Sequence, residues 1–211
     1  MGPRESGKAM LPLTLVIETA TPACSVALVR GEELVEEAHE VVGRGHAERL
    51  VPMIERLLAG GRPEAILVDC GPGSFTGLRV GLAAAQGLRI GWGVPLAGFS
   101  SLSLLASAAG AGELAVALHG GHGQLFVQSF ADAPLRPTDA LRSLSPEEAA
   151  ALIGASRIVG SGADALVTAR GWGEAEALEA RAAQARHLPE ALRSLPAAPI
   201  YGRAPDARPA A

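Results

Sequence analysis

The chain has 211 residues, 48% hydrophobic but only 3% aromatic, with 18 Lys plus Arg against 22 Asp plus Glu. That length allows one compact domain or two small lobes with cores of aliphatic and alanine side chains. Its near balance of charge excludes a general field that would gather nucleic acid or anionic membrane, so any RNA contact must be local or supplied by a partner. No apolar run reaches the roughly 18 residues of a membrane span. Cys24 and Cys70 form no C-x-x-C pattern, which points to buried thiols in a reducing, cytoplasmic setting.

Residues 1–10 read as a loose leader. "LTLVIETA" (13–20) and "ACSVALVRG" (23–31) are rich in β-branched and apolar residues and predict a hairpin turning at Thr21 and Pro22. "EELVEEAHEVV" (32–42) alternates more weakly and predicts a third antiparallel strand. From His46 the period changes. Leu50, Ile54, Leu57 and Leu58 recur at helical spacing, Val51 widens the stripe, and Gly60 and Gly61 end it. "EAILVDC" (64–70) is nearly all apolar, as expected of a strand covered on both faces. A helix over about 76–90 carries small residues at Gly77, Gly81, Ala84, Ala85 and Gly91. Each glycine inside a helix costs about 1 kcal/mol relative to alanine, so the strip must serve close packing, either on the chain's own sheet or on another helix across an interface. A short strand and a helix starting near Ser100 follow.

"ELAVALHGGHGQLFVQSF" (113–130) predicts a second hairpin about "HGGHG". "SPEEAAALIG" (145–154) predicts a capped helix, with Ser145 as N-cap, Pro146 at the first position and Glu148 completing a capping box. "SRIVGSGA" (156–163) reads as strand then glycine turn, with short helices over 163–170 and 181–194. Two hairpin-led units in series predict two related lobes, and the Pro- and Ala-rich 204–211 predicts a frayed tail.

Between strand and helix lies "GPGSFTGLRVG" (71–81). Strand, glycine turn and helix start aim free backbone N–H groups at any anion placed there. However, a Walker loop needs G-x-x-x-x-G-K-[ST], whereas five residues separate Gly71 from Gly77 and Leu78 follows. A dinucleotide loop needs its third glycine one residue before Gly77. The plainer alternative is structural: Gly71, Pro72 and Gly73 turn the chain, and Ser74 or Thr76 caps the helix.

The runs "LVIETATPACSVALVRG", "GHAERLVPMIERLL" and "AILVDCGPGSFTGLRVGLAAAQGLRIGWGVPLAGFSSLSLLA" resemble the TsaB (YeaZ) family of tRNA threonylcarbamoyladenosine biosynthesis subunits, in the glycoprotease-like branch of the ASKHA superfamily. The likeness covers about 13–107. "PIYGRAPDA" resembles the family's terminal P-x-Y-L-R element with Gly202 in place of Leu, and 108–198 match in outline. The resemblance implies an α/β fold of two ASKHA (RNase H-like, actin-like) lobes, each a mixed β-sheet with flanking helices, divided into 11–107 and 108–203. It implies a non-catalytic assembly subunit that binds TsaD, the subunit transferring the threonylcarbamoyl group to the adenosine beside the anticodon of tRNAs reading A-starting codons, and that recruits the ATPase TsaE. On this reading tRNA is met through the complex, no cofactor is intrinsic, ATP and a metal belong to the partners, no membrane is involved, and the chain self-pairs when its partner is absent. The family contact maps onto His46, Leu50, Met53, Ile54 and Leu57 of the first helix and Thr76, Gly77, Val80, Gly81 and Ala84 of the second. Gly71, Pro72, Gly73 and Ser74 form its structural loop.

An active ASKHA enzyme carries roughly D-x-G-x-[ST] in its first hairpin. Here the stretch is Glu18, Thr19, Ala20, Thr21, without the glycine that lets backbone approach phosphate. Glu18 is left as the residual nucleotide-site candidate, which keeps an ASKHA ATPase or phosphotransferase as the alternative. A glycoprotease-type metallopeptidase is weaker: His46 has Leu50 four residues on, and His119 and His122, three apart in a turn, lack an evident third ligand.

Overall fold

The structure, a computed structural model, describes residues 11–202. The expected leader and the tail at 204–211 lie outside the described residues. The first sheet has the order β3-β2-β1-β4-β5. Strands β1 (Leu13–Glu18), β2 (Ala23–Arg30) and β3 (Glu33–Val41) form an antiparallel meander, and β4 (Ala65–Asp69) and β5 (Leu96–Phe99) add parallel to β1. Alternation along β1 and β4 sends Leu15, Ile17, Ile66 and Val68 to one core, while Val16 and Leu67 enter another. Both faces are therefore covered, which is why "AILVD" carries almost no polar residue.

Helices α1 (His46–Leu58) and α2 (Phe75–Trp92) cover the outer face. On the other face α3 (Ser101–Ala109) packs between the sheets. The second sheet runs β11-β10-β6-β7-β8, with β9 also paired to β7. Its elements are β6 (Leu114–Gly121), β7 (Gln124–Ala131), β8 (Arg136–Pro137), β9 (Arg142–Leu144), β10 (Arg157–Val159) and β11 (Glu174–Glu176). Helices α4 (Pro146–Leu152) and α5 (Ala163–Arg170) close its far side. The predicted capping box is present: the Ser145 hydroxyl accepts from the Glu148 N–H, and the Glu148 carboxylate accepts from the Ser145 N–H. The short strands β8, β9 and β11 have too few residues for a periodic signal and were not expected.

Two expectations change. The helix predicted over 181–194 is instead a pair of short 3-10 segments, Ala182–His187 and Glu190–Leu192. Pro189 lies between them, and its ring and missing N–H forbid a continuous α-helix. The tail of the second unit also does not stay there. The Ala182 N–H donates to Ser25 Oγ, Arg181 pairs with Glu37, Leu195 bridges to Gly98, and the Ile200 N–H donates to the Cys70 carbonyl. Residues 180–200, assigned by chain order to the second lobe, thus complete the first lobe and the core between the two.

Candidate functional site

The turns that end β1 and β4 and the entrance of α2 meet on one side of the molecule. Glu18 is buried and faces its own turn: Oε1 accepts from the N–H groups of Ala20 and Thr21 at 2.9 and 3.1 Å, and Oε2 accepts from the Thr21 hydroxyl at 3.2 Å. The candidate nucleotide-site carboxylate is thus occupied by the backbone donors a phosphate would need. Ser74, not Thr76, caps α2, its hydroxyl accepting from the Gly77 N–H. The α2 entrance is bound to the turn of β1 by the Ser74 N–H donating to the Ala20 carbonyl and by the Thr19 hydroxyl donating to the Gly77 carbonyl.

This contact explains the glycines. A Cβ on Gly73 would overlap the Ala20 carbonyl, one on Gly77 the Thr19 carbonyl, and one on Gly81 the Thr19 hydroxyl. The strip at Gly77 and Gly81 therefore serves the chain's own first hairpin, which corrects their assignment to a partner interface. The same correction holds for the inward face of α1. Leu50, Met53, Ile54 and Leu57 are buried core residues. His46 is buried too, its Nε2 lying 2.9 Å from the Thr21 carbonyl and 3.1 Å from that of Ala23, so Nε2 carries the proton and steadies the hairpin. Of the expected interface residues, Thr76 is exposed and Val80 and Ala84 are half-buried against the core.

The outward face has a different composition. Along α2 it presents Ala83, Gly87, Ile90 and Gly91, with Ile90 78% exposed, and neither Gly87 nor Gly91 has any atom within 4 Å of an added Cβ. Val51 stands exposed on neighbouring α1.

A cleft of about 760 Å³ opens between the lobes. One wall is the Ala20–Pro22 turn with Gly73, Ser74 and Phe75, and the other is the turn of the second hairpin at His119, Gly120 and Gly121. Phe75 carries the Arg79 guanidinium 3.7 Å over its ring and lies beside Tyr201. Among the described residues Arg79, His119 and Tyr201 are the ionisable side chains lining this cleft, and none of them is a carboxylate. Ser74 is spent as a cap and Ser161 Oγ accepts from the His119 N–H, so neither is paired with a base. His119 and His122 are exposed in their turn, and among the described residues no three His, Cys, Asp or Glu side chains converge.

Asp69, which the sequence reading passed over, is the acid beneath this wall. Its Oδ1 accepts from the Gly71 N–H at 2.6 Å and the Ser101 hydroxyl at 2.8 Å, while the buried Oδ2 has no partner. Burial pushes its carboxyl up to about 7 against the pull of those hydrogen bonds. Glu18 is also raised well above the carboxylate range, first by burial and then by the charge of Asp69, with the Thr21 and Ala20 donors opposing. A lone Asp at the end of an otherwise apolar run was the available signal.

Comparison with known proteins fits this geometry. The family model for TsaD, tRNA N6-adenosine threonylcarbamoyltransferase, matches residues 38–138. The Haemophilus influenzae and Escherichia coli proteins named tRNA threonylcarbamoyladenosine biosynthesis protein TsaB are 43% and 40% identical over 101 and 100 residues. These matches take in 45% of this chain and 42% and 43% of those proteins, so the alignment spans under half the length of the curated relatives. A solved structure described as YeaZ from Pseudomonas aeruginosa superposes with a TM-score of 0.76 at 29% identity, covering 91% of this chain and all of that one. In these matches and in this superposition the chain is similar to the TsaB/YeaZ proteins. Its two mixed sheets with flanking helices are the two-lobed ASKHA-type fold expected of that family. The segment "GPGSFTGLR" joins the β4 turn, the α2 cap and the Phe75–Arg79 stack.

Proposed function

We propose that the chain is a non-catalytic assembly subunit for tRNA threonylcarbamoyladenosine synthesis, binding TsaD through the outward faces of α1 and α2 and bringing TsaE to the complex. The observation that carries this is the pair Gly87 and Gly91. Each weakens α2 by about 1 kcal/mol relative to alanine, yet neither is crowded by any of the described residues. A second helix lying on Ala83, Gly87 and Gly91 supplies the missing reason, because small residues admit a close backbone approach. With Ile90 and Val51 exposed beside the strip, the face has the apolar centre that association needs. In the absence of TsaD the same face serves self-pairing about a two-fold axis. ATP, metal and tRNA chemistry are left to the partner subunits, and the chain needs no cofactor of its own.

Reconstitution tests the reading. With TsaD and TsaE present, modified adenosine in tRNA is expected to depend on addition of this chain, and equal yield without it would refute the assignment. A separate measurement addresses the ATPase alternative. Because Glu18 already occupies the backbone donors of its turn, calorimetry of the isolated chain with Mg-ATP is expected to give no saturable heat. Clear binding that Glu18→Ala removes would establish the alternative instead.

A further inference from the structure

Glu18 and Asp69 end neighbouring parallel strands, one step beyond the paired Ile17 and Val68, so their side chains leave the sheet on the same face. Ser25 faces Glu18 across β2, and Phe99 faces Asp69 across β5. Both acids are buried in the layer between these strands and the second lobe. Two full charges there would repel strongly at low dielectric, with no cation among the described residues to offset them.

The surrounding groups confirm the lack of a counter-charge. The thiols of Cys24 and Cys70 are pushed up to about 11 by burial and are neutral. On β3, His39 stands two strands away in register with Ser25, its Nε2 3.6 Å from the exposed Glu179, and Glu40 pairs with Arg49. His46 of α1 turns to the Thr21 and Ala23 carbonyls. From α3 comes the Ser101 hydroxyl, from α2 only Gly77, Leu78 and Gly81, and from the 3-10 segment the Ala182 N–H, while Arg181 is held by Glu37. Among the described residues no guanidinium or ammonium reaches either acid. Asp69 Oδ2 is, among the described residues, a buried carboxyl oxygen without a donor, an unfavourable arrangement that is relieved when the oxygen carries a proton.

We propose that Glu18 and Asp69 keep one proton between them, and that this proton latches the wall of the cleft. While it is held, the Glu18 turn and the Asp69 loop stay joined through the Ser74-to-Ala20 and Thr19-to-Gly77 bonds, with Ser101 and Ile200 securing the loop from behind. When it leaves, two like charges in one buried layer drive the turns apart and release the first turn of α2. The latch belongs to the isolated chain and does not depend on the partner assignment.

The sign follows from the raised carboxyls. The closed form holds its proton well above the ordinary carboxylate range, because burial raises both carboxyls and the Asp69 charge raises Glu18 further, whereas an opened, hydrated form releases it near 4. Closure is therefore fully favoured below about pH 4 and weakens as pH rises. Amide hydrogen exchange on the full chain, corrected for intrinsic rates, reads this at Ala20, Thr21, Gly71, Ser74 and Gly77. Protection at these amides is expected to fall by up to about tenfold per pH unit as the pH rises above 5. Asp69→Asn, which retains the acceptor for Gly71 and Ser101 and removes the second acid from the layer, is expected to lessen that slope. Flat protection in the native chain, or the same slope in Asp69→Asn, would overturn the latch. If Asp69→Asn fails to fold, side-chain carboxyl ¹³C shifts of the native chain decide: one of the two carboxyls must still carry a proton at pH 6, and two ionised carboxylates there refute the proposal.

Discussion

Gly87→Arg is expected to leave the chain folded and to abolish its co-purification with TsaD. The open space around Gly87 accepts a long side chain, and replacing glycine within an exposed helix adds rather than removes helix stability. The thermal midpoint should therefore hold or rise slightly. On the partner side the same arginine stands where a second helix must approach, and it places a charge in the apolar centre of the contact. Loss of a hot-spot contact of that kind corresponds to about 2–4 kcal/mol, or 30- to 1000-fold in affinity. Binding to immobilised TsaD, alongside a melting curve of the variant, makes the measurement. Undiminished affinity in a folded Gly87→Arg chain would remove the α2 face from the interface.

Gly81→Arg has the opposite expected result. There the first added carbon already overlaps the Thr19 hydroxyl, and the guanidinium would enter the layer between α2 and β1 beside Ile17. Overpacking alone costs about 1–3 kcal/mol, and an unpaired charge buried in that layer adds several more. The sum approaches the whole stability of a domain this size. The variant is expected to give little soluble folded protein, with loss of the cooperative urea transition. A well-folded Gly81→Arg chain would mean that the hairpin can withdraw from α2, contrary to the two hydrogen bonds that join them. Together the variants test two glycine roles on one helix: Gly77 and Gly81 in the fold, and Gly87 in the proposed association.

That separation marks where the sequence reading stopped. Repeated small residues at helical spacing announce close approach, but spacing alone does not say on which side the approaching backbone lies. Position around the helix axis is known only once α2 is docked on its sheet. The inward stripe of α1 shows the same limit. Leu50, Met53, Ile54 and Leu57 were recognisable as an apolar face, and an apolar face fits a core as well as it fits a partner. Only burial decided for the core.

The acids divide in the same way. Glu18 was singled out from a motif, but its role reversed once its oxygens were found satisfied by Ala20 and Thr21. Asp69 attracted no motif at all. It became a partner to Glu18 because β1 and β4, separated in sequence by β2, β3 and α1, pair in parallel register. Contacts of Ser25 with Ala182 and of Cys70 with Ile200 are of the same long-range kind, and no local pattern encodes them.

By itself the sequence determined the local elements: two hairpin-led α/β units, the helix over 46–58, the Ser145 capping box, the glycine turn at 71–73 and, through its runs and motifs, the family resemblance. These are consequences of short-range sterics, periodicity and capping, which act within a few residues. Tertiary structure alone decided which glycines meet the chain's own backbone, which helix face remains open, how the last described segment returns to the first lobe, and that two carboxyls share a buried layer. Those outcomes depend on burial and on neighbours distant along the chain, and they arise only when the sheets and helices close on one another.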